Sequence, residues 1–174
     1  MKKLLISLLL SIGLVASANA ADKGKGMEMS KEMMQAMVAQ SMTITPAADD
    51  ISFEDVVDSM KLRANSLNFK LVAELPLSEQ VKAMGQESIR MEIYAFCDAL
   101  IAKHMVEYNL VFAGYLPCRI AVVEDKETGR PMLITMNMDM MVNAVDLPPE
   151  LQKMANTVRD NINSIVDAGA NGDL

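Results

Sequence analysis

Two apolar runs with strand-like alternation lie within residues 88–125, and their arrangement restricts the fold more than any other feature of the sequence. Alternate residues of the first run, Ile89–Cys97, share one face, as expected for a β-strand. The second run, Cys118–Glu124, alternates in the same way. A helical segment and a loop return the chain to the end of the first run, so we predict that the two strands are antiparallel neighbours.

Two amphipathic helices flank the strands. Ser52 and Asp55 form a capping-box pattern at the start of an apolar stripe that ends at Leu67. A second stripe follows Pro148-Pro149 and continues to Ile165. With further strands at residues 69–75 and 131–141, the order predicts an α+β fold. We expect a mainly antiparallel sheet of four to five strands, covered on one face by the two helices.

The predicted last strand, residues 131–141, is rich in methionine. One face carries Met132, Ile134, Met136, Met138 and Met140. Because methionine fills irregular gaps in protein cores, we predict that this face points into the core.

The first 20 residues have the pattern of a secretory signal peptide. Lys2 and Lys3 precede the apolar run Leu4–Val15, and Ala18-Asn19-Ala20 is a small-x-small cleavage site. The run is shorter than the roughly 20 residues that span a bilayer, which favours a cleaved signal over an uncleaved anchor. We expect a periplasmic protein without stable membrane insertion after cleavage. The mature chain then divides into a methionine-rich segment (21–45), an α+β domain (46–167) and a tail expected to fray (168–174).

The charge distribution excludes one class of partner. The chain has 23 acidic and 16 basic residues, for a net charge of −7, and lacks a basic patch interleaved with aromatic residues. We therefore expect no nucleic-acid binding. The one histidine, His104, has no nucleophile and no orienting acid at a spacing typical of a catalytic triad, so we favour a packed or surface role for it. We therefore do not expect an enzyme.

Short motifs frame the connection between the two strands: Cys97-Asp98-Ala99 before it, and Leu116-Pro117-Cys118 with the acidic Glu124-Asp125 after it. From Ile51 to Val166 the chain resembles the bacterial family catalogued as domain of unknown function 302, which has Cys-Asn-Pro and Leu-Pro-Cys at these places. The resemblance implies a β-α-β4-α sandwich like one repeat of the TATA-binding protein, often dimeric, and no established activity. Asp98-Ala99 and Asp139-Met140 depart from the family's Asn-Pro and Asp-Pro, so ligand chemistry at those corners is not implied.

The two cysteines are the first candidate site. They end one predicted strand and open the next, and we expect them to share one apolar face, so the returning connection is able to bring them together. Cysteine pairs in exported proteins most often form disulfides, and we predict a bond between Cys97 and Cys118. Two alternatives remain open: a pair of buried small hydrophobic residues that never meet, or a redox-active or metal-binding thiol pair.

The methionine-rich segment is the second candidate. Met29, Met33, Met34 and Met37 present thioethers along one side of a predicted short helix. Thioethers select Cu(I), so Cu(I) is the possible cofactor, with His104 and the cysteines as further donors. Alternatively, this apolar side docks on the domain, on a second subunit of a homodimer or on another protein partner.

Three functions follow, in order of preference. The first is a periplasmic binding or accessory protein centred on Cys97 and Cys118. The second is a copper-binding protein that uses the methionine-rich segment, and the third is a thiol redox enzyme.

We predict that the exported protein begins with Ala21, because Ala18 and Ala20 are the small residues that a signal peptidase reads. N-terminal sequencing of periplasmic material should return ADKGKG. Recovery of the uncleaved chain from the membrane fraction would contradict the predicted localisation.

Overall fold

The computed structural model describes residues 29–173, so the predicted signal peptide and residues 21–28 of the methionine-rich segment lie outside the described residues. Its elements are α1 (Lys31–Gln40), β1 (Met42–Pro46), α2 (Phe53–Ser66), β2 (Lys70–Leu75), α3 (Leu77–Ala83), β3 (Met91–Cys97), α4 (Ala99–Tyr108), a 3-10 helix (Leu110–Tyr115), β4 (Cys118–Glu124), β5 (Pro131–Met136), α5 (Met138–Asn143) and α6 (Pro149–Asn171). Within the described residues, no helix combines the length and the hydropathy needed to cross a bilayer.

The strands form one five-stranded sheet in the order β1-β5-β4-β3-β2, with every neighbouring pair antiparallel. This confirms the predicted α+β class and the antiparallel pairing of β3 with β4. β1, α2, β2 to β5 and α6 give the expected β-α-β4-α order, to which α1, α3, α4 and α5 are added. The predicted boundary between residues 45 and 46 falls inside β1, so the end of the methionine-rich segment belongs to the sheet.

α2 and α6 cover one face of the sheet, as predicted. Ser52 caps α2: its Oγ accepts a hydrogen bond from the Asp55 amide at 3.1 Å, while the Ser52 amide donates to the Asp55 carboxylate at 3.4 Å. Val56 and Met60 of α2 and Ile162 and Ile165 of α6 are fully buried. Burying side chains of this size contributes about 1.5–3 kcal/mol each, so the interface between these helices and the sheet is the main source of stability.

The register of β3 decides which side of the sheet becomes the core. Tyr94 pairs with Ile120 and Phe96 with Cys118, and residues directly opposite each other point to the same side. Tyr94 and Phe96 are 3% and 0% exposed beneath the helices. The alternate set of β3, from Met91 to Cys97, therefore points to the other side of the sheet.

The prediction of a strand continuing to residue 141 is wrong. β5 ends at Met136 because the Asn137 side chain accepts a hydrogen bond from the Met140 amide at 3.0 Å and caps α5. The prediction of a methionine core face is also wrong for β5. Leu133, opposite Val122, is fully buried, whereas Met132 and Met136 lie on the opposite side.

The C-terminal residues pack instead of fraying, so the predicted frayed tail beginning at residue 168 is also wrong. α6 continues to Asn171, Ala168 and Ala170 are buried, and the Ala48 amide donates to the Ala170 carbonyl at 2.8 Å. Gly169 lies so close to α2 that an added Cβ would be 2.7 Å from Met60 Cγ. Glycine therefore permits the close approach of α6 to α2.

We predict that Gly169→Val lowers the free energy of unfolding by about 1–3 kcal/mol, because the added side chain overpacks a closed core. Asn163→Val, at an exposed position of the same helix, is the matched control and should change stability far less. Urea unfolding of both variants measures the difference. Equal midpoints would mean that the end of α6 does not pack as described.

Candidate functional site

An apolar cavity of about 60 Å³ lies where the ends of β3 and β4 meet α4, α5 and α6. Cys97 and Cys118 both line it. A small cluster of Met105, Val142 and Ala155 closes this end of the molecule, separate from the main core. The cavity therefore lies between two packed clusters, at the corner that contains both sequence motifs.

Local hydrogen bonds position the wall next to Cys97. Asp98 follows the last residue of β3, and its Oδ1 accepts from the amides of Leu100 and Ile101 at 2.9 and 3.0 Å. These bonds start α4 immediately after the strand, because they satisfy amides that a helix leaves unpaired. Ile101 then reaches the cavity from the first turn of α4.

The two cysteines are free, and the prediction that they share one face is wrong. Cys118 lies opposite Phe96, while Cys97 lies opposite Lys70 on β2. A shift of one residue reverses the direction of a strand side chain, so the register sends the two thiols to opposite sides of the sheet. No disulfide joins them in this structure, although both reach the cavity from neighbouring strands.

Both thiols are held in the protonated form. Burial, with a smaller contribution from the neighbouring Cys97 and against the opposing effect of Arg119, raises the pKa of Cys118 to about 11. Burial also raises the pKa of Cys97, with a contribution from the Asp98 carboxylate. At neutral pH this corner therefore presents two neutral sulfhydryl groups.

The other predicted donors do not line this cavity. Met29, Met33, Met34 and Met37 are exposed at or near α1, and His104 is exposed on α4. In the part of the chain that the structure describes, no three His, Cys, Asp or Glu side chains are grouped as a metal site.

Sequence reasoning missed three thioether residues at the cavity: Met105, Met138 and Met141. The prediction that β5 continues to residue 141 placed Met138 and Met141 on opposite faces of a strand, so the two were not grouped. On α5, residues three apart lie on the same side. Asn137, a favourable helix cap, was the signal that marks this change from strand to helix.

A charged cluster at the opposite end of β3 has a structural role. The Arg90 guanidinium stacks over Phe53 at 3.8 Å and pairs with Glu92 at 2.8 Å and with Glu54. Tyr94 donates a hydrogen bond to Glu92. Although burial opposes ionisation of Glu92, the hydrogen bonds from Tyr94 and Arg90 lower its pKa. The charged and hydrogen-bonding groups of this cluster are paired with one another, which is typical of a structural role. The cavity is therefore the stronger candidate site.

Comparison with known proteins places this architecture in a family. The family described as "Domain of unknown function DUF302" matches residues 44–169. A crystal structure of an uncharacterized conserved DUF302 protein from Bacillus stearothermophilus has a TM-score of 0.61 at 16% identity, covering 73% of this chain and 96% of that chain. At that identity the likeness shows the shared fold alone. Among curated proteins, none matches.

The family match includes the sheet strands from β2 to β5, most of β1, the two covering helices and both cysteines, whereas α1 lies before it. It extends over most of the residues that the structure describes, and its fold agrees with the one observed. The chain therefore belongs to the DUF302 family.

Proposed function

We propose that the protein is an exported binding or accessory protein that holds a small apolar ligand in the cavity beside Cys97 and Cys118. The observation that carries the proposal is the presence of both cysteines in the wall of an otherwise mainly apolar cavity. Export rests on the signal-peptide pattern of residues 1–20.

The size of the cavity limits the ligand. Typical pockets for drug-sized molecules measure roughly 300–1,000 Å³, whereas this cavity measures about 60 Å³. A water molecule needs about 10–15 Å³ by a comparable measure. The space suits a ligand of a few heavy atoms, and the apolar wall favours a neutral one.

The protonation state of the thiols favours binding over redox chemistry. A reactive cysteine requires a thiolate, and catalytic thiols have a lowered pKa. Here burial raises the pKa of both Cys97 and Cys118. Neutral thiols supply polarisable surface and weak hydrogen-bond donors, which suits ligand contact better than nucleophilic attack.

We predict that xenon enters the cavity, because dry apolar cavities accept it. Methyl NMR spectra of ¹³C-methionine-labelled protein under xenon pressure should show saturable shifts at Met138 and Met141. Ala102→Leu should abolish these shifts, because Ala102 lines the cavity.

Ala99→Leu is the matched control, since Ala99 is exposed on the same helix. It should keep the xenon response of the wild-type protein. A wild-type spectrum that xenon leaves unchanged would contradict the proposed ligand cavity.

Cu(I) binding is the second candidate function, and one observation favours it: five sulfur-bearing residues line the same cavity. They are Cys97, Cys118, Met105, Met138 and Met141. Thiolate and thioether sulfur select Cu(I). Copper would have to displace the thiol protons, so affinity should rise with pH. This donor set differs from the one predicted at Met29, Met33, Met34, Met37 and His104.

We predict that Cys118→Ser weakens Cu(I) binding at least about tenfold, because it removes a soft ligand from the cavity. Anaerobic titration against a colorimetric Cu(I) chelator measures the affinity. The variant Met33→Leu/Met34→Leu/Met37→Leu is the control for α1 and should bind like the wild-type protein. The reverse pattern would assign copper to the methionine-rich segment, and no binding by either protein would remove the copper candidate.

A further inference from the structure

The side of the sheet opposite α2 and α6 carries an apolar surface that the rest of the described chain covers only in part. Over β1, β5 and β4 this surface, called here the open face, consists of Met42, Ile44, Pro46, Met132, Ile134, Met136, Arg119, Ala121 and Val123. Ile44 and Met42 are 61% and 49% exposed. A groove of about 250 Å³ runs along it beside Tyr115. Contiguous apolar surface of this kind marks an interaction site.

The open face is also free of acidic side chains. The chain as a whole has a net charge of −7, yet the one charged residue on this surface is Arg119. Two acidic molecules repel each other over most of their surfaces, and they meet at lowest cost where carboxylates are absent. The charge distribution therefore permits contact between two copies at this face.

α1 is a second apolar surface without a partner in the described chain. None of its residues is buried, although Met33, Met34, Met37 and Val38 are adjacent on one side. α1 precedes the family match, so the shared fold does not require it. An exposed stripe of this composition is costly to leave in water.

The junction between α1 and β1 is held in place. The Asn137 side chain donates to the Gln40 carbonyl at 3.0 Å, and the Asn137 amide donates to the Ser41 carbonyl at 2.8 Å. These bonds tie the end of α1 to the start of α5. α1 therefore extends from the edge strand β1 in a fixed direction, and none of its residues is buried against its own domain. We call α1 the arm.

The dimensions of the two surfaces agree. Ten helical residues are about 15 Å long, and a helix with its side chains is about 10 Å wide. Three neighbouring strands are about 10 Å across, and strands of this length extend roughly 20 Å. α1 thus fits along the open face, and its first turn carries both Lys31 and Glu32, so it brings no net charge towards Arg119.

We propose that α1 of one copy packs its methionine side on the open face of a second copy, and that the second copy does the same in return. The result is a twofold-symmetric dimer with two equivalent arm-to-face contacts. Each contact covers the methionine side of one α1 and one open face, both of which a single chain leaves exposed. Methionine suits this interface because its flexible side chain adapts to a shallow groove.

The test compares the self-association of full mature chains by sedimentation equilibrium. Met33→Glu/Met37→Glu should raise the dimer dissociation constant about 100-fold or more, because it places carboxylates in an apolar contact. Gln35→Glu/Ala39→Glu adds the same charge to the other side of α1 and should keep the wild-type constant. On β1, Ile44→Glu should weaken the dimer, while Thr43→Glu, on the other side of the strand, should not.

Mixing the two weakened variants separates arm-to-face contact from other dimers. The intact arm of the Ile44→Glu chain can dock on the intact face of the Met33→Glu/Met37→Glu chain. Native mass spectrometry should then show a heterodimer in excess over either homodimer. Equal far-UV circular dichroism spectra of all variants establish that folding is unchanged, whereas the melting temperatures of the weakened variants should be lower wherever the wild-type protein is dimeric.

Three results would overturn the proposal: a wild-type protein that stays monomeric at every concentration, dimers unaffected by the α1 variant, or a mixture without heterodimer. A wild-type monomer that binds anionic lipid vesicles through α1 would assign the arm to a membrane surface instead.

Discussion

The pairing of β3 with β4 is the constraint on which the rest of the structure depends. Because Phe96 lies opposite Cys118, and Tyr94 opposite Ile120, the aromatic side of β3 faces α2 and α6. A slip of one residue would exchange the two sides completely. The register thus determines which residues form the main core, which side of the sheet stays open, and where each thiol points.

The cavity is a consequence of the same pairing at the end of the sheet. α4 begins directly after β3, capped by Asp98, and α5 begins directly after β5, capped by Asn137. Both helices start where the strands finish, so they extend the fold beyond the sheet and close over its corner. Both cysteines line the cavity where this smaller cluster meets the main core, and burial raises the pKa of both thiols.

The two sides of the sheet divide the molecule into a stable scaffold and a surface available for contact. One side contributes the fully buried Ile120, Val122 and Leu133 to the helix-covered core. The other side is equally apolar in composition but lacks a matching pair of long helices. This surface is free of carboxylates, and together with α1 it forms the pair of surfaces on which the proposed dimer rests.

Sequence patterns predicted the helices and strands that depend only on residues close together in the chain. The capping box at Ser52 and the apolar stripes of α2 and α6 depend on neighbouring residues and were predicted correctly. The antiparallel β3–β4 pairing also followed from the order of the chain. The Cys97-Asp98-Ala99 and Leu116-Pro117-Cys118 motifs identified the family and the corner that contains the candidate site.

The tertiary structure decided what depends on contacts between distant segments. Both sides of β3 and β5 are apolar, so periodicity alone could not choose the core side, and the shared face assigned to the cysteines was wrong. The packing of Gly169 against Met60 converted an expected frayed tail into a buried helix end. Local patterns specify helices and strands, whereas register and close packing are settled by the segments that meet across the fold.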